Sequence, residues 1–306
     1  MCRRLTAAVK GALVCTAVAA GIAAGSPNLT PIATVRVGAQ SGMLVPAAGS
    51  IWTTDLVLGR VVGIDPAANT VTRRIPFATR PFGLAYGAGS LWVADRSLNV
   101  LARINPRTNR VTKRIKIGFD SYGLAFGASS VWVTSEAGGT VRRISPARNR
   151  VTKTIKVGTR PNGVVFAFGS LWVADLGRGM LVRVNIKTNR VARRIDVPKA
   201  DWVTPSPDAL WISSEAGEVV RVDPVAGKAV AKVTVGANPL GSAWIGGELW
   251  VPNIDAGTVS IVDPATNSVR TTLDVDKGTL SIAPAAGDVW ISNSEVGQVW
   301  RVPAAQ

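Results

Sequence analysis

Apolar residues in this chain fall in short alternating runs, each closed by glycine, proline, asparagine or aspartate. From Pro161 onward four such runs follow one another: Val164-Val165-Phe166, Leu171 to Ala174, Leu181 to Val184 and Val191 to Val197. Runs of this length with a period of two, bounded by turn residues, predict antiparallel strands joined by tight turns. The four-run unit then repeats along the chain. Its anchor is a tryptophan, at Trp52, Trp92, Trp132, Trp172, Trp211, Trp250 and Trp290, with intervals of 40, 40, 40, 39, 39 and 40 residues. Each stands in a variant of the phrase Gly169-Ser170-Leu171-Trp172-Val173-Ala174-Asp175. A period in this range specifies stacked or radially arranged units.

The turn between the third and fourth runs recurs as Asp65-Pro66-Ala67-Ala68-Asn69, Asn105-Pro106-Arg107-Thr108-Asn109 and Asp263-Pro264-Ala265-Thr266-Asn267. Proline presets φ at the second turn position, and asparagine tolerates the left-handed region at its end. The two ends of the pattern complement each other. Ala33 to Gly38 matches a fourth strand with no preceding three, whereas Gln298 to Val302 matches a third strand with no fourth after it. Together they predict one shared blade, which removes the exposed edge of an otherwise open ring. The expectation is an all-β, seven-bladed β-propeller of four-stranded antiparallel blades. It spans residues 32–306 as one domain, with an N-terminal strand completing the C-terminal blade. The fifth blade is the least regular copy, because Val197-Pro198-Lys199-Ala200-Asp201-Trp202 replaces the usual Val-Gly…Arg-Pro-x-Gly passage.

The phrase Gly-Ser-Leu-Trp-Val-Ala-Asp, followed by Val-x-Arg-Ile-Asn-Pro-x-Thr-Asn-x-Val and Arg-Pro-x-Gly, resembles YVTN-type and streptogramin (virginiamycin B) lyase-like propellers over residues 32–303. The resemblance implies the propeller fold. It does not imply one activity, since the superfamily mixes enzymes, sensors and binding modules. The lyases it includes use a histidine-bearing, magnesium-dependent site on one face of the ring. This chain has no histidine at all, so their catalytic residues have no counterpart here.

Residues 1–25 lie outside the repeat. Arg3, Arg4 and Lys10 precede or open an apolar, small-residue run from Gly11 to Ala24, which reads as a secretory signal peptide, with 26–31 as a short linker. The run is too short to span a bilayer comfortably. Arg3-Arg4 lacks the surroundings of a twin-arginine signal, and Ala12-Leu13-Val14 before Cys15 is a poor lipobox. The expected location is extracytoplasmic, and richness in Ala, Val, Arg and Gly suggests a bacterial source. Cys2 and Cys15 both fall inside this leader. A mature chain without cysteine or histidine has no disulfides, no thiol or serine–histidine catalysis and no zinc–thiolate site.

Three residues after each periodic tryptophan stands a polar side chain: Asp55, Asp95, Ser135, Asp175, Ser214, Asn253 and Asn293, with Glu136 and Glu215 following the two serines. In a propeller these loops share a face with the connections between blades, around the mouth of the central channel. Those connections bring Arg80, Asp120, Arg160 and Asp201 to the same face, and Phe82, Tyr122, Asn162 and Trp202 begin the innermost strands. Carboxylates, arginines and aromatics around one mouth suit a small polar or aromatic molecule or a peptide. For any single Asp or Ser, capping of its own turn is the competing role. Oxygen ligands alone would suit Mg²⁺ or Ca²⁺, although no spacing matches a dedicated calcium loop. No residue set amounts to a catalytic signature. The expectation is a monomeric binding or scaffold module; the alternative is a divalent-cation-dependent lyase or hydrolase built on the same face with Asp, Glu or Tyr.

Charge is distributed unevenly. Residues 31–197 hold 25 basic and 7 acidic side chains, net +18, whereas residues 198–306 hold 7 and 12, net −5. Arg74, Arg114, Lys116, Lys156 and Arg194 fall on predicted outermost strands, where cations deter edge-to-edge association. The same residues are candidates for contact with an anionic polymer.

Overall fold

The computed structural model describes residues 30–304 except Ala78 and Phe119. The predicted signal peptide and both cysteines lie outside the described residues. Every regular element within them is a β-strand, and no helix is long and apolar enough to cross a membrane. Seven four-stranded antiparallel sheets form the ring. Blade four shows the pattern, with strands Pro161–Ala167, Ser170–Asp175, Met180–Asn185 and Arg190–Asp196 in sequence order from the inside outward. Blade seven closes the ring as the sequence predicts. Thr279–Ala285, Asp288–Asn293 and Gln298–Pro303 are joined by Ala33–Arg36 as the outermost strand, with Val35 opposite Val299.

The seven periodic tryptophans are buried, none more than 2% exposed. Each ring packs in the seam between blades. Trp172 of blade four, for example, shares a cluster with Ala200, Val203, Leu210, Ile212 and Val220 of blade five. Burying one such ring contributes a few kcal/mol, about 25 cal/mol for each Å² of apolar surface removed from water. Most indole N–H groups are satisfied as well, since Trp52, Trp92, Trp132, Trp172 and Trp290 donate to the carbonyl five residues earlier at 3.0–3.2 Å.

A second set of contacts ties neighbouring blades together. The residue opposite the tryptophan on the third strand is an arginine in five blades: Arg103, Arg143, Arg183, Arg221 and Arg301. Each guanidinium stacks over its tryptophan at 5.1–5.6 Å. Four of them also reach the next blade's outer turn. Arg103 Nη1 donates to Pro146 O at 2.9 Å and Asn149 Oδ1 at 3.0 Å, and Arg143, Arg221 and Arg301 make the same pair of bonds. The turn asparagines do lie in the left-handed region, Asn149 at φ 47° and Asn189 at 54°. They therefore both close a turn and accept a latch from the previous blade.

The exceptions follow the same logic. Blade five has Gly227 where the others have the turn asparagine, and Arg183 finds only Pro224 O there, at 3.5 Å. Blade seven has no turn between its third and outermost strands, and blade six correspondingly carries Ile261 opposite Trp250. In blade one the partner of Trp52 is Gly63, and Arg73 of the outermost strand covers the ring instead, at 5.7 Å.

Candidate functional site

Polar residues three places after each tryptophan end the second strands at the mouth, and all seven are buried. Asp55 Oδ1 accepts from the N–H groups of Val57 and Leu58, and its other oxygen pairs with Arg60 at 3.0 Å. Burial alone would raise its pKa, but those bonds outweigh it and hold the carboxyl below its ordinary value. Asp95 accepts from Arg80, Ser97 and Leu98 N–H groups, and Asp175 from Thr159 and Arg160. Asn293 bonds Glu295, Val296 and Lys277, while Asn253 donates to Thr258 and Ser260. These residues fasten the loops of the mouth. The glycine of the Val-Gly connection makes room for this: a Cβ on Gly158 would stand 1.8 Å from Asp175.

One layer inward, strand register defines a ring of seven equivalent positions. Pro81 pairs with Asp95 and Leu84 with Val93, just as Ala200 pairs with Ser214 and Val203 with Ile212. Asp201 is therefore the counterpart of Phe82, and Trp202 takes the place of Gly83. The reading that put Trp202 in line with Phe82, Tyr122 and Asn162 is off by one residue, because the shortened passage into blade five omits a residue before this point. The full ring is Gly42, Phe82, Tyr122, Asn162, Asp201, Leu240 and Leu280. While the surrounding scaffold repeats, these seven positions hold six different residues, only leucine occurring twice.

The ring divides in two. On the side of blades five to seven and one, Met43, Leu240 and Leu280 form an apolar cluster against which Trp202 and Ile254 pack. On the other side, Phe82 and Tyr122 lie with ring centroids 4.6 Å apart, and Arg96 stands over both, at 5.7 and 5.0 Å. Arg96 Nη2 donates to Asp120 and to Glu136 at 2.9 Å each, and Arg160 lies 3.9 Å from Glu136. Burial, reinforced by Asp120, raises the Glu136 pKa against the opposing pull of Arg96 and Arg160. Tyr122 is pushed far above its ordinary value by burial and by the charges of Asp201, Glu136 and Glu215.

Asn162 and Asp201 form a buried polar pair, 3% and 4% exposed. Asn162 Nδ2 donates to Asp201 Oδ1 at 2.7 Å. A carboxylate there demands a donor, so the amide oxygen faces away from it. That oxygen is buried without a partner. Burial raises the Asp201 pKa to about 6, with Glu215 and Glu136 adding to the effect and the Asn162 bond and Arg160 opposing it. Asp201 thus combines a raised pKa with a neighbouring amide oxygen that no protein group satisfies.

Of the sequence-derived candidates, Arg80, Phe82, Tyr122, Glu136, Arg160, Asn162, Trp202 and Glu215 fall on or around this mouth. Asp55, Asp95, Asp175, Asn253 and Asn293 act on the loops beneath it. Arg96 was not anticipated. Its only signal was a cation directly after Asp95, where the equivalent aspartates Asp55 and Asp175 are followed by leucine. Arg74, Arg114, Lys116, Lys156 and Arg194 are exposed on the outermost strands of blades one to four. Among the described residues, no three Asp, Glu, His or Cys side chains converge in a way that could hold a metal ion. The magnesium site that the lyase resemblance implies therefore does not fit the residues present.

No family model matches this sequence, and no curated protein matches it. Among solved structures, the chain is similar to a Kuenenia stuttgartiensis hydrazine synthase chain, with a TM-score of 0.75 and 14% identity over 96% of this chain and 99% of that one. It is likewise similar to a streptogramin B lyase structure, with a TM-score of 0.75 and 14% identity over 86% and 93%. The resemblance read from the repeat phrase thus extends to three dimensions, and what it shows is the seven-bladed propeller fold.

Proposed function

We propose that this chain is an exported, non-catalytic binding module that takes a small molecule or peptide at its channel mouth. The observation that carries this reading is the Asn162–Asp201 pair, with its unfilled buried acceptor, at the ring of positions where the repeat stops repeating. Packing needs alone would favour the same residue in every blade, as they do for the tryptophans. The reading is tested by ligand-observed NMR with a fragment library. Fragments that bind the wild type are expected to lose binding to Asn162→Ala and Tyr122→Ala. Binding that survives both substitutions would refute it.

One observation favours a second surface. Among the described residues, no cation on the outermost strands of blades one to four takes part in a salt bridge, while Lys232 and Arg270 of blades five and six pair with Glu218 and Glu248. This arc suits an anionic polymer. With polyphosphate as probe, replacing Arg74, Arg114 and Arg194 together by Gln is expected to lower the slope of log affinity against log salt by about two to three. An unchanged slope would remove this surface from the account.

A further inference from the structure

Beside the aromatic pair, between blades one and two, lies a cavity of about 450 Å³ lined by Gln40, Leu56, Val57, Thr79, Arg80, Phe82 and Arg96. Its volume is in the range of small-molecule sites. Two arginines line it and no carboxylate does. Arg96 is held rigidly, since Nε and Nη2 bond Asp120 and Nη2 also bonds Glu136, yet Nη1 has no partner among the described residues. The Arg80 guanidinium has no partner there either; only its backbone is engaged, the N–H donating to Asp95 and the carbonyl accepting from the Arg96 N–H. Donors that the protein leaves unused, one of them prepositioned, are the elements of an oxyanion clamp. The remaining wall is mixed, with Gln40 and Thr79 beside an apolar stretch. Leu56, Val57 and Phe82 supply that stretch, and Val57 is 57% exposed, so its side chain is open to a bound molecule.

From this geometry we infer that the cavity binds an amphiphilic organic carboxylate, its oxyanion between Arg80 and Arg96 and its apolar body along Leu56, Val57 and Phe82. The inference rests on the mouth being a binding face and names the chemistry of one part of it. Arg80 supplies the net attraction, because Asp120 and Glu136 already compensate the charge of Arg96. An anion without an apolar body gains only an exposed ion pair, which is worth little in water. The neutral analogue leaves both guanidiniums without an anion.

The test uses 3-phenylpropionate and indole-3-acetate, each against its matched alcohol, measured by titration calorimetry on the purified protein. The carboxylates are expected to bind at least about tenfold more tightly than the alcohols, the scale of one charge-assisted hydrogen-bonded pair. Arg80→Gln is expected to abolish that difference. Arg80 is exposed and its side chain holds nothing in the fold, so this variant retains its structure. Arg107→Gln, in the exposed outer turn of blade two, is expected to change nothing. Equal binding of acid and alcohol, or full retention of the preference in Arg80→Gln, would overturn the inference. If the carboxylates fail while other fragments bind in an Asn162-dependent way, this cavity is wrongly assigned and the mouth reading stands. If neither class binds, both fall.

Discussion

Asp201 offers the most quantitative test of the mouth. Moving its ionisation from 3.8 to about 6 corresponds to a penalty on the order of 3 kcal/mol on the charged form in the folded protein. The folded state holds its proton more tightly than the unfolded state, so between pH 3.8 and about 6 folding takes up a proton and stability falls as pH rises. The penalty is fully present above pH 6 and absent below pH 4. Asp201→Asn keeps an acceptor for Asn162 and never carries the charge. It is therefore expected to be more stable than the wild type by about 1–3 kcal/mol at pH 8, with the advantage shrinking through pH 6 and vanishing at pH 4. Urea unfolding of both proteins at five pH values measures the difference directly, because every other titrating group is common to the two. A variant no more stable than wild type at pH 8, or a difference that does not change with pH, would refute the claim that Asp201 is a charge kept in place against stability. A residue retained at such a cost is expected where function requires it.

Two further predictions separate scaffold from surface. Arg103→Met removes the latch to Pro146 and Asn149 while keeping the aliphatic stem over Trp92, and is expected to cost about 2–4 kcal/mol by denaturant unfolding. Arg194→Met on the exposed outermost strand of blade four should fall within about 0.5 kcal/mol of wild type, and equal losses from the two would discredit the latch. Gly123→Ala places a Cβ 2.4 Å from Asn162 O, so it is expected to cost about 1–3 kcal/mol through displaced backbone; a neutral effect on the melting temperature would contradict the close approach of blades three and four.

The architecture was legible because it is encoded redundantly. Seven copies of one phrase, turn asparagines that do adopt positive φ, and a strand missing at one end but supplied at the other all point to the same closed ring. Contacts between copies were less legible. Arg103 and Asn149 are 46 residues apart, and each has a sufficient local reason to exist, a third-strand cation and a turn residue, so neither announces the other. The mouth was legible as a region but not in detail. The spacing of 39 residues between Trp172 and Trp211 shows that a residue is missing without showing where, and only strand register places Asp201 on the ring and Trp202 behind it. Arg96 escaped notice because its partners Asp120 and Glu136 come from the neighbouring blade, 24 and 40 residues away.

The central claim is that binding occurs where the copies disagree. A crystal soaked with the fragments that bind in solution tests this most directly. The account predicts ligand density against Phe82, Tyr122, Asn162 or Asp201 at the mouth. Density confined to the opposite face, among the turns that carry Asn109 and Asn149, would contradict it.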